Sequence, residues 1–230
     1  MQLKDKVAIV TGAARGLGRA YAEALATEGA TVVAADLNDC ADTVASVEVA
    51  GGRAIATTID VSDSASCEAM ADLAADAFGR IDILINNAGV FHGMDLAKGD
   101  TPMSEQMKEI DIDLTGPIRM IHNFLPGLLN KKGAAIVNVS SGLAFIPLAL
   151  APVYSATKAG VHAYTQSLRW QLKDKDIKVF ELMPPLVETP MTTNFKGAKM
   201  YNADQLAQDL VKGMNRDKME ITPGQSKALK

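Results

Sequence analysis

The sequence predicts an α/β fold, and three observations predict it. Short β-branched runs alternate with long alanine-rich amphipathic stretches along the chain. The runs are continuously apolar, as strands covered on both faces must be. A glycine-rich turn directly follows the first run and opens the first helical stretch, the junction from which right-handed βα crossovers build a doubly wound sheet. The expected architecture is therefore a Rossmann-like, doubly wound parallel sheet of about seven strands, in the order 3-2-1-4-5-6-7, flanked by helices.

The elements follow in order. Val7, Ala8, Ile9 and Val10 form the first strand, and residues 16–28 the first helix, closed by Gly29. Residues 31–35 are the second strand, and 39–50 a helix stopped by Gly51 and Gly52. Residues 54–59 form the third strand. Asp63, between Ser62 and Ser64, caps a helix that runs to residue 78, with Gly79 behind it. Residues 81–85 and 135–139 are strands four and five. The stretch 103–130 between them is too long and too periodic to be anything but helical. A helix over 154–172, a strand over 177–182, a helix over 203–214 and a weak edge strand over 219–222 complete the chain. No repeat, linker or low-complexity segment interrupts it, so one domain over residues 1–230 is expected.

Composition narrows the function. Of 230 residues, 48% are hydrophobic and 22% charged, values of a globular chain rather than a disordered one. A net charge of −4 gives no electrostatic footprint for phosphate backbones, which excludes nucleic-acid binding as the main role. The longest apolar stretch, 143–153, is broken by Pro147 and Pro152, and a bilayer needs about 20 apolar residues. The first six residues carry no apolar signal region. Cys40 and Cys67 are too few for a disulfide framework or a zinc site, and read as free thiols of a reducing cytoplasm. His92, His122 and His162 match no metal-ligand spacing, although His92 closely follows 86–89 and can line a substrate pocket. The eleven methionines read as filler, with Met94, Met183 and Met191 as candidate walls of an apolar pocket.

Gly12, Gly16 and Gly18 mark the turn Thr11-Gly-Ala-Ala-Arg-Gly-Leu-Gly18. Small residues let backbone N–H groups approach a pyrophosphate, and the helix N-terminus favours its charge. Asp36 ends the second strand, where a carboxylate can hydrogen-bond both adenosine ribose hydroxyls and repel a 2′-phosphate. NAD is thus favoured over NADP. Arg15, able to reach a phosphate, argues the other way.

Tyr154 and Lys158 stand four apart on one helical stretch and share a face. A phenol titrates near pH 10, and a nearby ammonium favours the phenolate, bringing proton transfer within range. Residues 136–142 are a strand ending in Ser140 and Ser141, where an α/β sheet places its ligands. Alternation points only one of the two into the cleft. Ser141 is the candidate to hold a substrate oxygen, with Ser140 its rival.

With these motifs, Asp60-Val61, and Asn86-Asn87-Ala88-Gly89, the sequence resembles the short-chain dehydrogenase/reductase family from Thr11 to Met191. The resemblance implies reversible alcohol–ketone oxidoreduction on a nicotinamide cofactor, with Tyr154 as acid/base. It implies that Lys158 holds the nicotinamide ribose and depresses the phenol pKa, while Ser141 polarises the substrate oxygen. It places Asp60 and Val61 beside the adenine, and Asn87, Ala88 and Gly89 beside the adenosine ribose. Arg15, Leu17 and Leu37 join the cofactor contacts, and Pro184, Val187 and Thr189 lie at the carboxamide. The family's matching long helices pair across a two-fold axis, implying a homodimer and, less clearly, a homotetramer.

Three departures stand out. Asp113 replaces the asparagine that completes the family's proton relay, which loses two N–H donors. Reduced activity, recovered in Asp113→Asn, is the expectation. Pro185 stands where the family has glycine, and residues 191–202 form a short substrate-covering segment. The half from Ile110 onward also resembles a less-studied branch of the family. An NADP-dependent 3-oxoacyl thioester reductase is disfavoured by Asp36. A nucleotide-binding protein without turnover is disfavoured by the intact Ser141, Tyr154 and Lys158. No motif names the substrate.

Overall fold

The computed structural model describes residues 1–99, 101–195 and 197–229. Its strands are β1 (Val7–Thr11), β2 (Thr31–Asp36), β3 (Arg53–Thr58), β4 (Ile83–Asn86), β5 (Ala134–Val139), β6 (Ile177–Leu182) and β7 (Glu220–Ile221). The helices are α1 (Gly16–Thr27), α2 (Ala41–Val49), α3 (Ser64–Phe78), α4 (Met103–Ile110), α5 (Gly116–Leu129), α6 (Pro152–Gln171), α7 (Ala203–Asn215) and α8 (Ser226–Leu229). Every strand pairs in parallel, in the order β3-β2-β1-β4-β5-β6-β7. The architecture is the Rossmann-like one expected.

Why the strands read as unbroken apolar runs is visible in the packing. Along β1, Ala8 and Val10 join one buried cluster while Val7 and Ile9 join the other. The first cluster takes Tyr21 and Leu25 from α1 and Leu206, Leu210 and Met214 from α7. The second takes Met120, Ile121, Phe124 and Leu128 from α5 and Leu168 from α6. Both faces are dry, so both parities must be apolar. Each such side chain, fully buried, contributes about 1.5–3 kcal/mol.

β1 pairs with β2 on one side and β4 on the other, so Val10 lies between Ala34 and Ile85. The chain winds outward from β1 through β3 and then returns past β1 to β4. The sheet's order reverses between β1 and β4, and a crevice opens beyond their carboxyl ends. At the opposite end of the same pair, buried Asp82 ties the strands together. Its carboxylate accepts from Val7 N–H at 3.0 Å, Arg80 Nε at 2.9 Å and Lys6 Nζ at 3.2 Å. Burial pushes this carboxyl up, but Arg80, Val7 N–H and Lys6 together hold it below its ordinary value.

Two local features differ from expectation. The helical stretch 103–130 is interrupted by a π-helical turn over Asp111–Thr115. Pro117 has no N–H to return to the carbonyl of Asp113, so the α-helical ladder is already broken there. The short α8 lies beyond the expected edge strand. The termini otherwise shift by at most two residues, and Asp63 caps α3 as expected, accepting from Ala65 and Ser66 N–H.

Replacing Asp82 with alanine strands two cations and a buried N–H, and is expected to cost about 3 kcal/mol at neutral pH. Because the folded carboxyl titrates below its unfolded value, this stabilisation is full above about pH 4 and fades as pH falls through the folded value. Urea denaturation of both proteins at pH 7 and in acid checks this: the gap should narrow in acid.

Candidate active site

The turn between β1 and α1 is shaped by glycine. Gly12 and Gly16 have φ of +70° and +58°, the left-handed region that side chains resist. A Cβ on Gly18 would lie 2.0 Å from the Gly12 carbonyl oxygen. Thr11 and Asn87 stitch the turn to the end of β4. Asn87 Nδ2 donates to the Thr11 carbonyl at 2.9 Å, and Thr11 Oγ1 accepts from Asn87 and Ala88 N–H at 3.0 Å each. The side-chain amide of Asn87 is thus committed to holding the crevice in shape.

Residues present here fit a dinucleotide. Arg15 caps α1 in extended conformation with no side-chain hydrogen bond, leaving the first helical N–H groups without a side-chain acceptor. Asp36 reaches back at the tip of β2. Its Oδ2 accepts from Ala14 N–H at 3.1 Å and its Oδ1 from Asn38 N–H at 2.9 Å. Leu37 beside it is 61% exposed, and Arg15 is exposed at the mouth of the turn. Leu17 is half-buried against the core. Asp60 stands at the end of β3, its carboxyl held below the ordinary value chiefly by the Ser62 hydroxyl. Val61 is buried under Gly116, so its side chain presents little surface.

The segment after β6 closes one side. Gly142 N–H donates to the Pro184 carbonyl at 3.1 Å, which ties β5 to β6 beyond the sheet. Val187 is buried and pairs with Tyr201. Thr189 and Pro190 lie over Gly16, so this segment covers the glycine turn.

At the end of β5, alternation sends the two serines to opposite sides. Ser140 Oγ donates to buried Glu181 at 2.5 Å, and Glu181 contacts His162 Nδ1 at 2.9 Å. Ser141 accepts from Leu143 N–H at 3.1 Å and faces the Tyr154 phenol, whose ionised form it favours. Lys158 Nζ lies 5.2 Å from the Tyr154 ring centre, one helical turn along α6. The ammonium also points to the Val139 carbonyl at 3.4 Å and, at 3.1 Å, to Oδ2 of fully buried Asp113. Asp113 Oδ1 accepts from Val90 N–H at 2.8 Å, and Gly89 lies flat against this carboxylate. The π-helical turn is what aims Asp113 inward.

Lys158 acts on the phenol in the expected direction, against a larger effect of burial. Burial pushes the Tyr154 phenol up; Lys158 and Ser141 pull it down, while Asp113 and Glu109 push it up again, and the net direction is upward. Lys158 is opposed by burial yet held above its ordinary value by Asp113. Burial raises Asp113 against the pull of Lys158 and Val90 N–H. The ammonium therefore serves two masters.

Sequence reasoning missed three residues here. Glu109 is fully buried, though it sits in the charged run from Glu105 to Asp113 that reads as a solvated face. Phe91 packs edge-on to Tyr154 with ring centres 5.2 Å apart, and Phe195 packs on Phe91 at 5.7 Å. These rings stand beside the phenol. Met94 and Met183 are buried in the interior, and only Met191 of the three is exposed.

Comparison with known proteins agrees with this geometry. The family model described as short chain dehydrogenase matches residues 6–199. The uncharacterized oxidoreductase DltE of Bacillus subtilis (strain 168) is 30% identical over 227 residues, covering 96% of this chain and 89% of that protein. Galactitol 2-dehydrogenase of Agrobacterium fabrum is 36% identical over 190 residues, covering 82% of this chain and 73% of that one. A short chain dehydrogenase/reductase from Burkholderia phymatum, solved in complex with NAD, superposes with a TM-score of 0.91 at 25% identity, covering 100% of this chain and 93% of that chain.

Gly18→Ala tests the turn. The added methyl meets backbone, which cannot step aside cheaply, so a loss of about 1–3 kcal/mol is expected. Urea denaturation measures it, with Gly127→Ala as a control, since that glycine has open space around it and an ordinary φ.

Proposed function

The chain belongs to the short-chain dehydrogenase family and is an oxidoreductase, and from that premise we propose that it moves a hydride reversibly between NAD(H) and a secondary alcohol or ketone. One observation carries the reading: Ser141, Tyr154 and Lys158 converge at the carboxyl end of the sheet, beside a glycine turn with uncapped helical N–H groups.

The cofactor supplies hydride acceptance and donation, and the chain supplies the rest. Gly12, Arg15, Gly16, Leu17 and Gly18 form the phosphate cradle. Asp36, Leu37, Asp60, Val61, Asn87, Ala88 and Gly89 bound the adenosine side, and Pro184, Val187 and Thr189 the carboxamide side. Ser141 holds the substrate oxygen. Tyr154 as phenolate takes the alcohol proton, or as phenol gives one to the ketone oxygen. Lys158 steadies the phenolate and Asp113 steadies Lys158. Phe91 and Phe195 give the substrate side an apolar wall.

The Asp36 carboxylate beside the turn supports NAD over NADP, and the Burkholderia phymatum structure, solved with NAD, supports it by kinship. Exposed apolar side chains on neighbouring helices, Met103 and Met107 on α4 and Trp170 on α6, support a homodimer. The edge strand β7 has two residues, a slender basis for a tetramer. A single domain in the cytoplasm is the simplest reading of a chain with two buried free thiols. No helix among the described residues is long and apolar enough to cross a membrane.

Titration with NADH and NADPH followed by thermal shift tests the cofactor. NADH should raise the melting temperature at lower concentration, and Asp36→Ala should narrow the difference. Tighter NADPH binding would overturn the assignment, and binding of neither would overturn the enzyme. Asp113→Asn frees the ammonium to act on Tyr154, so the alkaline rise in alcohol oxidation should move to lower pH. Below that rise, single-turnover hydride transfer should quicken by about tenfold for each pH unit that the rise moves. A panel of secondary alcohols with NAD, followed by nicotinamide absorbance, reads it.

A further inference from the structure

Behind Lys158 the structure buries a second acid that hydride transfer does not use. Glu109 lies one turn before Asp113 and is fully buried. Its Oε1 accepts from His92 N–H at 3.0 Å. Its Oε2 has no hydrogen-bond partner, and neither does Nδ1 of His92, which lies 3.9 Å from Glu109 Oε1. Buried polar atoms without partners are rare and costly. A carboxyl oxygen and an imidazole nitrogen left unpaired in one buried cluster are a donor–acceptor pair for a single proton, which either can carry. The His92 side chain is 36% exposed, so the imidazole also meets solvent.

Charge balance points the same way. One ammonium offsets one carboxylate, and Asp113 occupies that place at 3.1 Å from Lys158 Nζ. Glu109 is faced by Asp113 from the π-helical turn, by Lys158 and Tyr154 from α6, and by His92 from the segment after β4. Burial, with Asp113 adding to it, pushes the Glu109 carboxyl above its ordinary value.

We propose that Glu109 holds a proton and, with His92, forms the port through which the buried Tyr154–Lys158–Asp113 site exchanges protons with solvent. Oxidation of an alcohol releases one proton for each hydride transferred, and reduction consumes one. In the outward direction Lys158 gives a proton to Asp113 and regains one from Tyr154. Asp113 protonates Glu109 as Glu109 gives its own proton to His92 Nδ1, and the imidazolium loses one to water. One proton has then left, and each carboxyl and the ammonium are as they began. The direction of flow rests on the oxidoreductase reading. The proton on Glu109 and its exchange do not.

Infrared spectroscopy of the unliganded protein at neutral pH tests the port without turnover. The wild type should show a protonated-carboxyl C=O stretch that shifts in D2O and disappears in Glu109→Gln. After rapid mixing with D2O, deuterium should enter that carboxyl at least an order of magnitude more slowly in His92→Leu. A purely structural Glu109 would leave this rate indifferent to His92. If Glu109→Gln fails to fold, the exchange rate of the band in His92→Leu carries the assignment. Absence of the band, its persistence in Glu109→Gln, or unchanged exchange in His92→Leu overturns the proposal. With any secondary alcohol that reacts, an indicator dye should show proton release lagging NADH formation in His92→Leu, and no lag also overturns it. Failure of every alcohol would count against the proposed function and leave the infrared result standing.

Discussion

The organisation of this molecule depends on one constraint: β1 and β4 must pair while the chain leaves them toward opposite edges of the sheet. That reversal opens a crevice at their carboxyl ends, and an open crevice in a close-packed protein needs bracing. Asn87 and Thr11 provide it, with side-chain bonds that cross from one strand end to the other. Gly18 allows it, because no side chain fits between α1 and the Gly12 carbonyl. At the far end of the same strand pair, Asp82 locks the register with two cations and a backbone N–H. The site is therefore held from both ends by interactions that never touch a substrate.

On that frame α6 and the interrupted helix meet. α6 presents Tyr154 and Lys158 a turn apart, and the π-helical turn presents Asp113 to the same ammonium. A direct ion pair in a buried place is strong locally, but it divides the influence of Lys158. The phenol is held above its ordinary value first by burial, and Asp113 adds to that push. An amide at residue 113 would leave the ammonium undivided. The same packing buries Asp113 and Glu109 together with Lys158 beside the phenol.

The wall beside the phenol says something about selectivity. Phe91 and Phe195 meet edge to face, one from the segment after β4 and the other from the short segment after β6. Aromatic pairs of this kind give shape and apolar area without directional polar recognition.

The α/β class, the strand order, the glycine turn and the shared helical face of Tyr154 and Lys158 were legible in the sequence, because each rests on short-range rules: period of apolar residues, φ permitted to glycine, four-residue spacing on a helix. The choice between Ser140 and Ser141 needed the partner strand, since alternation alone says that they part and not which way. The π-helical turn had a local cause in Pro117, yet a continuous apolar period concealed it. Glu109 was not legible at all. In the sequence it is one acid among several on a charged helix, and only the packing of α4 against α6 takes it out of water. Periodicity and backbone geometry are properties of a chain; burial of a charge is a property of what other segments do to it, and only the tertiary structure decides that.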